Sequence, residues 1–170
     1  LFEAREVGGT CLNRGCIPTK TLLHGVGPGC DLSALSVRKD EVVSTLRSGM
    51  TQGLKAAKVA VIPLRAVVTG PHAVRAGGET YMGETILVAA GSVPARPPIP
   101  GLDLPGVVTS DELLDQVRPR NSLVIIGGGV IGVELASVWA AAGCHVTILE
   151  ALDRILANLD RELSQSLAMQ

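Results

Sequence analysis

Apolar positions along the chain change period several times, and each change marks an element. From Val37 to Lys58 the apolar residues Val42, Val43, Leu46, Met50 and Leu54 recur at helical spacing, interrupted by Gly49 and Gly53. This predicts one amphipathic helix. Short β runs follow at Val59 to Ile62 and Leu64 to Val68, then a hairpin turned at Gly77 and Gly78, then an apolar strand over Thr85 to Ala90. Further on, Leu123 to Ile126 reads as a strand, Val130 to Ala142 as a helix stopped by Gly143, and His145 to Leu149 as a second strand ending on Glu150. A last amphipathic stretch runs from Asp160 to Met169. Strand and helix patterns mixed in this way predict an α/β chain.

The unit from Ser122 to Glu150 carries the first candidate chemistry. Its strand feeds directly into Gly127, Gly128 and Gly129, followed by Val130, Ile131 and Gly132. Glycines at this spacing allow a tight turn, close approach of a pyrophosphate, and packing of the next helix on the strand. Glu150 lies about 20 residues beyond Gly129, where a carboxylate accepts hydrogen bonds from a ribose 2′-hydroxyl and repels a 2′-phosphate. The expected ligand is NAD rather than NADP. An α/β turn with no ligand is the plainer alternative, and Arg154, the one nearby cation, reads as a solvated helix-start residue.

The second chemical segment is Gly8 to Lys20, GGTCLNRGCIPTK, in which Cys11 and Cys16 flank four residues. Gly8 and Gly9 permit a close backbone approach to a flat group, and Thr10 opens a helical stretch. Two cysteines at this offset in regular helix lie too far apart to be bridged. The turn between them is therefore expected to be irregular, which Gly15 and Pro18 permit. A thiol near a helix start has its anion favoured, so a depressed pKa is expected, with Lys20 adding positive charge. A structural staple and a zinc half-site are the alternatives. Zinc needs a second ligand pair, and no other CxxC or HxxxH occurs; Cys30 and Cys144 are isolated. No metal site is expected.

The string GGTCLNRGCIPTK resembles the redox signature of the flavin-dependent pyridine nucleotide-disulfide oxidoreductases, particularly the dihydrolipoyl dehydrogenases. The resemblance implies two Rossmann-like dinucleotide-binding domains, for FAD and NAD, both incomplete here. It makes Cys16 the charge-transfer thiol beside the flavin, Cys11 the interchange thiol, and Lys20 the lysine beside the ring. Glu134, on the first turns of the NAD helix, is expected to approach Lys20. Glu3 matches the acid that holds the adenosine ribose of FAD, and Ala66 aligns with the adenine contact. Gly8, Gly9, Thr10, Gly91 and Ser92 line up with further FAD contacts.

Three departures from the family pattern stand out. Ala90 replaces the usual threonine, Leu64 stands where relatives often carry glycine, and Gly25, Gly27, Pro28 and Gly29 cut short the helical excursion after Lys20. Leu1 to Glu3 read as the tail of a βαβ unit whose glycines are not in this chain. The expected organisation is a partial FAD-binding domain over 1–100, a linker over 101–121 and a partial NAD-binding domain over 122–170. The family's later His and Glu acid/base pair has no counterpart here, and His24, His72 and His145 sit in no matching motif. Such a piece is expected to be inactive alone. For the complete protein the resemblance implies a homodimer that serves lipoyl domains of 2-oxoacid dehydrogenase or glycine cleavage complexes. Mercuric and glutathione-type reductases share the paired cysteines but generally use NADPH, which Glu150 disfavours. A nucleotide-binding module without turnover is the third reading.

Composition narrows the field further. Hydrophobic residues make up 46% of 170, with one Phe, one Tyr and one Trp, so the core must be aliphatic. A formal net charge of −1 gives no electrostatic argument for nucleic acid or an anionic membrane. Thiols without a targeting segment point to a reducing, cytoplasmic setting.

Overall fold

A computed structural model of the chain describes residues 1–169. Helix α1 (Gly9–Arg14) and helix α2 (Cys16–Gly25) are separated by Gly15 alone. Helix α3 runs from Leu32 to Ala56, five residues earlier than the apolar spacing predicts at its start. The reason is Asp31, whose carboxylate accepts hydrogen bonds from the backbone N–H of Ser33 and Ala34 and so starts the helix there. Leu32 and Leu35 then extend the buried stripe toward α2. The two helices meet at Gly25, where an added Cβ would lie 2.3 Å from Leu35 Cδ1.

Three antiparallel strands follow, β1 (Ala66–Gly70), β2 (Ala73–Ala76) and β3 (Glu79–Met82), in the order β1-β2-β3. The β2–β3 turn falls at Gly77 and Gly78, as the sequence predicts, and β1 begins two residues later than expected. The expected strand at Val59 to Ile62 is reduced to a single parallel bridge from Ile62 to Phe2, whose ring packs edge-on against Tyr81 at 5.0 Å. The expected strand at Thr85 to Ala90 does not form. It runs as unpaired backbone with Leu87 89% and Val88 71% exposed. A strand needs a neighbour for its backbone groups, and among the described residues none pairs with it.

A proline-rich connector leads to helix α4 (Ser110–Asp115), whose start is closed by a reciprocal capping box between Thr109 and Glu112. Strand β4 (Ser122–Ile126), helix α5 (Val130–Ala141) and strand β5 (His145–Leu149) form a βαβ unit with parallel register from Ser122↔His145 to Ile126↔Leu149. Helix α6 (Arg161–Ala168) is the last described element.

The main core gathers Leu22 of α2, Leu32 and Leu35 of α3, Leu113 and Leu114 of α4, and Leu135, Val138 and Trp139 of α5. Full burial of one such aliphatic side chain contributes roughly 1.5–3 kcal/mol. Trp139 has no exposed surface, and its indole N–H donates to Arg118 O at 3.3 Å. Lys39 of α3 is buried as well. Its ammonium donates to Leu114 O at 2.6 Å, near the negative C-terminal end of α4, and pairs with Asp40 at 3.0 Å. The cluster therefore ties the cysteine-bearing helix to both the connector and the βαβ unit.

Candidate functional site

Cys11 lies in α1, and Cys16 is the first residue of α2. The irregularity expected between them is at Gly15, with φ −136° and ψ −112°. Backbone there approaches so closely that an added Cβ would lie 3.0 Å from Thr10 O and 3.2 Å from Cys11 Cα. A residue without a side chain lets α2 start beside Cys11 with no shift of that backbone. Pro18 takes the third position of α2, where its missing N–H costs no helical hydrogen bond.

Both cysteines are exposed free thiols, set on either side of the Gly15 break. The Cys11 pKa is raised, first by its hydrogen bond with the Cys16 side chain and then by desolvation, while Lys20 lowers it only as the smallest effect. The depressed pKa expected from the helix start is therefore corrected for Cys11. The influence of the neighbouring Cys16 thiol outweighs a diffuse dipole at the end of a six-residue helix.

Lys20, one turn along α2, donates to Glu134 Oε1 of α5. The expected pairing is present, and it links the thiol-bearing helix to the helix that follows the glycine turn. Gly91 returns the chain to this region, since its ideal Cβ position lies 3.9 Å from Thr10 Oγ1. Ser92 is exposed beside it. Glu3 accepts from Arg5 N at 2.9 Å, and Ala66 opens β1 opposite Ala76. Of the histidines, His72 contacts the carbonyls of Gly83 and Glu84, away from this cluster.

At the second turn, β4 runs into Gly127 and the chain folds tightly into α5. A Cβ at Gly132 would stand 2.0 Å from Gly127 O, inside the distance any real side chain tolerates. Gly129 has nothing within 4 Å of its would-be Cβ, so the backbone there is open to a ligand. Val130 and Ile131, at the helix start, are 46% and 63% exposed. This cradle fits a dinucleotide pyrophosphate. Glu150 accepts from Gly128 N at 2.7 Å and from Leu152 N at 2.9 Å. These bonds hold its carboxyl below the usual carboxylate range, Leu152 first, so it is ionised and keeps lone pairs for a ribose.

A cavity of about 910 Å³ opens beside this turn, between the connector at Arg96 and Val108 and the β4–α5 face at Ile125, Gly129 and Val130. The connector's share in that wall was not legible from spacing, because it depends on how the proline stretch folds back. Arg96 fixes part of that path by donating to Leu102 O at 3.2 Å and pairing with Glu112 at 3.4 Å. Among the described residues no cluster of three or more His, Cys, Asp or Glu could hold a metal. No helix there is long and apolar enough to cross a membrane.

A thiol pair across a glycine break, joined by an ion pair to a glycine-rich nucleotide turn, defines a flavoprotein disulfide reductase fold. Residues 1–170 match the pyridine nucleotide-disulphide oxidoreductase family, and the chain belongs to it. The chain is 39% identical to a dihydrolipoyl dehydrogenase of Acholeplasma laidlawii over 96% of its length and 55% of that protein's. It is 40% identical to RclA of Escherichia coli, described as a probable pyridine nucleotide-disulfide oxidoreductase, over 95% of this chain and 38% of that one. The solved structure of RclA, an HOCl-induced flavoprotein disulfide reductase, superposes with a TM-score of 0.89, covering 99% of this chain and 40% of that one. Across such relatives the chain spans between 33% and 55% of their length. The Acholeplasma alignment spans 185 positions against 170 residues here, so that relative carries residues with no counterpart in this chain.

Proposed function

We propose that this chain supplies the thiol pair and much of the nucleotide cradle of an oxidoreductase that passes electrons from a dihydrolipoyl dithiol to NAD⁺. The observation that carries this reading is the pair of accessible thiols, Cys11 within α1 and Cys16 at the start of α2, around the Gly15 break. In the oxidised form, a substrate thiolate attacks Cys11 Sγ and expels Cys16 as thiolate. The second substrate thiol then displaces Cys11, so one disulfide is reduced and one formed. Cys11 is the exchange thiol and Cys16 the thiol on the flavin side. Lys20 places positive charge beside Cys16 and is held there by Glu134. When bound, FAD supplies the two-electron acceptor that links thiol and nicotinamide chemistry.

Glu3, Gly8, Gly9, Thr10, Ala66, Gly91 and Ser92 are assigned to FAD, within a partial domain over 1–100. Gly127, Gly128, Gly129, Val130, Ile131, Gly132 and Glu150 are assigned to NAD, within a partial domain over 122–170, and 101–121 is the linker. The ionised Glu150 favours NAD over NADP by repelling a 2′-phosphate. The complete protein is proposed to be a cytoplasmic homodimer that serves lipoyl domains of 2-oxoacid dehydrogenase or glycine cleavage complexes. A second reading follows RclA, whose solved structures include a Cu(II) complex. The same thiols would then serve a disulfide other than the lipoyl one.

The test begins with mild oxidation of the chain and peptide mass mapping. A Cys11–Cys16 disulfide is expected, reduced by dihydrolipoamide much faster than by glutathione and lost in Cys11→Ser. Failure of the parent chain to form that disulfide sinks the redox reading and leaves a nucleotide-binding module. Equal rates with both reductants remove the lipoyl substrate.

A further inference from the structure

Asn13 lies between the two cysteines, near the end of α1. Its amide nitrogen donates to Val7 O at 3.0 Å and to Gly9 O at 2.9 Å, the carbonyls on either side of Gly8. Its oxygen accepts from Arg47 Nε at 2.8 Å, and Arg47 belongs to α3, 34 residues further along. Both N–H donors of the amide and one of its acceptor positions are therefore in use. The same α3 packs on α2, whose first residue is Cys16.

A helix of six residues has no stability of its own, so the place of Cys11 depends on what pins α1. Burial of Leu12 and the pairing of Arg14 with Glu6 at 3.1 Å hold it to the preceding segment. The Arg47 to Asn13 bond holds it to the helix that also carries α2. We propose that Asn13 and Arg47 are positioning residues that fix α1 against α2 and thereby favour the Cys11–Cys16 disulfide over the dithiol. The inference rests on the redox reading of the two cysteines. Fixing one thiol beside the other raises its effective concentration, which stabilises the bond between them. In the couple concerned, a reference dithiol gives two electrons and two protons to the disulfide, which opens to two thiols as the reference closes.

The experiment equilibrates the whole chain with mixtures of reduced and oxidised dithiothreitol and reads the Cys11–Cys16 disulfide by peptide mass. Arg47→Met keeps the apolar stem and removes the donor. It is expected to shift the equilibrium about tenfold toward the dithiol, about 30 mV for a two-electron couple. Arg47→Ala serves as the second variant, and Trp139 emission confirms that each is folded. A shift below twofold in both variants overturns the proposal, even if their thermal midpoints fall, because a merely structural bond lowers stability without moving the couple. A parent chain that forms no such disulfide sinks the redox reading and this inference together. A parent that forms it and variants that match it sink only the positioning role.

Discussion

The two glycine-led turns of this chain are held in different ways. At Gly127 to Gly132 the backbone packs on itself, and the last glycine, Gly132, is required because Gly127 O occupies the space a side chain would need. At Gly8, with φ 109°, the turn is held by a side chain, the Asn13 amide that bridges the carbonyls on either side. The first arrangement is rigid by exclusion. The second can be altered one hydrogen bond at a time.

The sharpest way to break this comparison is a pair of alanine substitutions. Gly132→Ala sets a Cβ against a backbone carbonyl that cannot move without shifting α5 from β4, and a cost of roughly 3 kcal/mol is expected. Gly8→Ala forces a positive φ on alanine and sets the added carbon 2.9 Å from Leu12 Cδ1, 3.0 Å from Leu12 Cβ and 3.2 Å from Asn13 Nδ2, all side-chain atoms that yield more readily than a backbone carbonyl. About 1–2 kcal/mol is expected there. Urea unfolding followed by Trp139 emission measures both. Equal losses would mean that the two turns do not differ in kind.

The same contrast governs how much could be read from the sequence. The βαβ unit was legible almost to the residue, because its strands, glycines and helix are neighbours in the chain and each contact is local. The irregular turn between Cys11 and Cys16 was legible from the reach of a disulfide, with Gly15 and Pro18 both able to permit it, and the break falls at Gly15. Arg47 was not, because its partner lies 34 residues away and nothing in the helical period marks it. Thr85 to Ala90 misled for a related reason: an apolar run shows the propensity for a strand but does not supply the neighbour a strand needs. The Cys11 pKa is raised because the neighbouring Cys16 side chain acts on it more strongly than the helix end does, and spacing alone does not show that.

Acid sensitivity sharpens the picture at the glycine-rich turn. The Glu150 pKa is depressed, first by Leu152 N–H and then by Gly128 N–H. A depressed carboxyl stabilises the fold fully above its unfolded value of about 4.3, and this share is lost as pH falls through the lower folded value. Glu150→Gln should therefore lower the thermal midpoint at neutral pH, and the gap from the parent should close as pH drops below about 4. Glu112, depressed first by its bond from Thr109 N–H, keeps its own share of the acid limb in both proteins. A gap that stays constant with pH would show that the clasp of Glu150 on Gly128 is not linked to folding.

The smallest effect is expected where the two regions meet. Lys20 and Glu134 are joined across α2 and α5, yet their side chains are 48% and 26% exposed. Water and salt screen such a pair, so a double-mutant cycle with Lys20→Met and Glu134→Gln should give a coupling of about 0.2–1 kcal/mol. The core beneath it, with Leu22 and Trp139 fully buried, already docks the helices. The pair is therefore read as setting where the Lys20 charge stands, not whether α2 and α5 associate. A coupling well above this range, unchanged in high salt, would instead make the ion pair a true fastening between the thiol segment and the nucleotide turn.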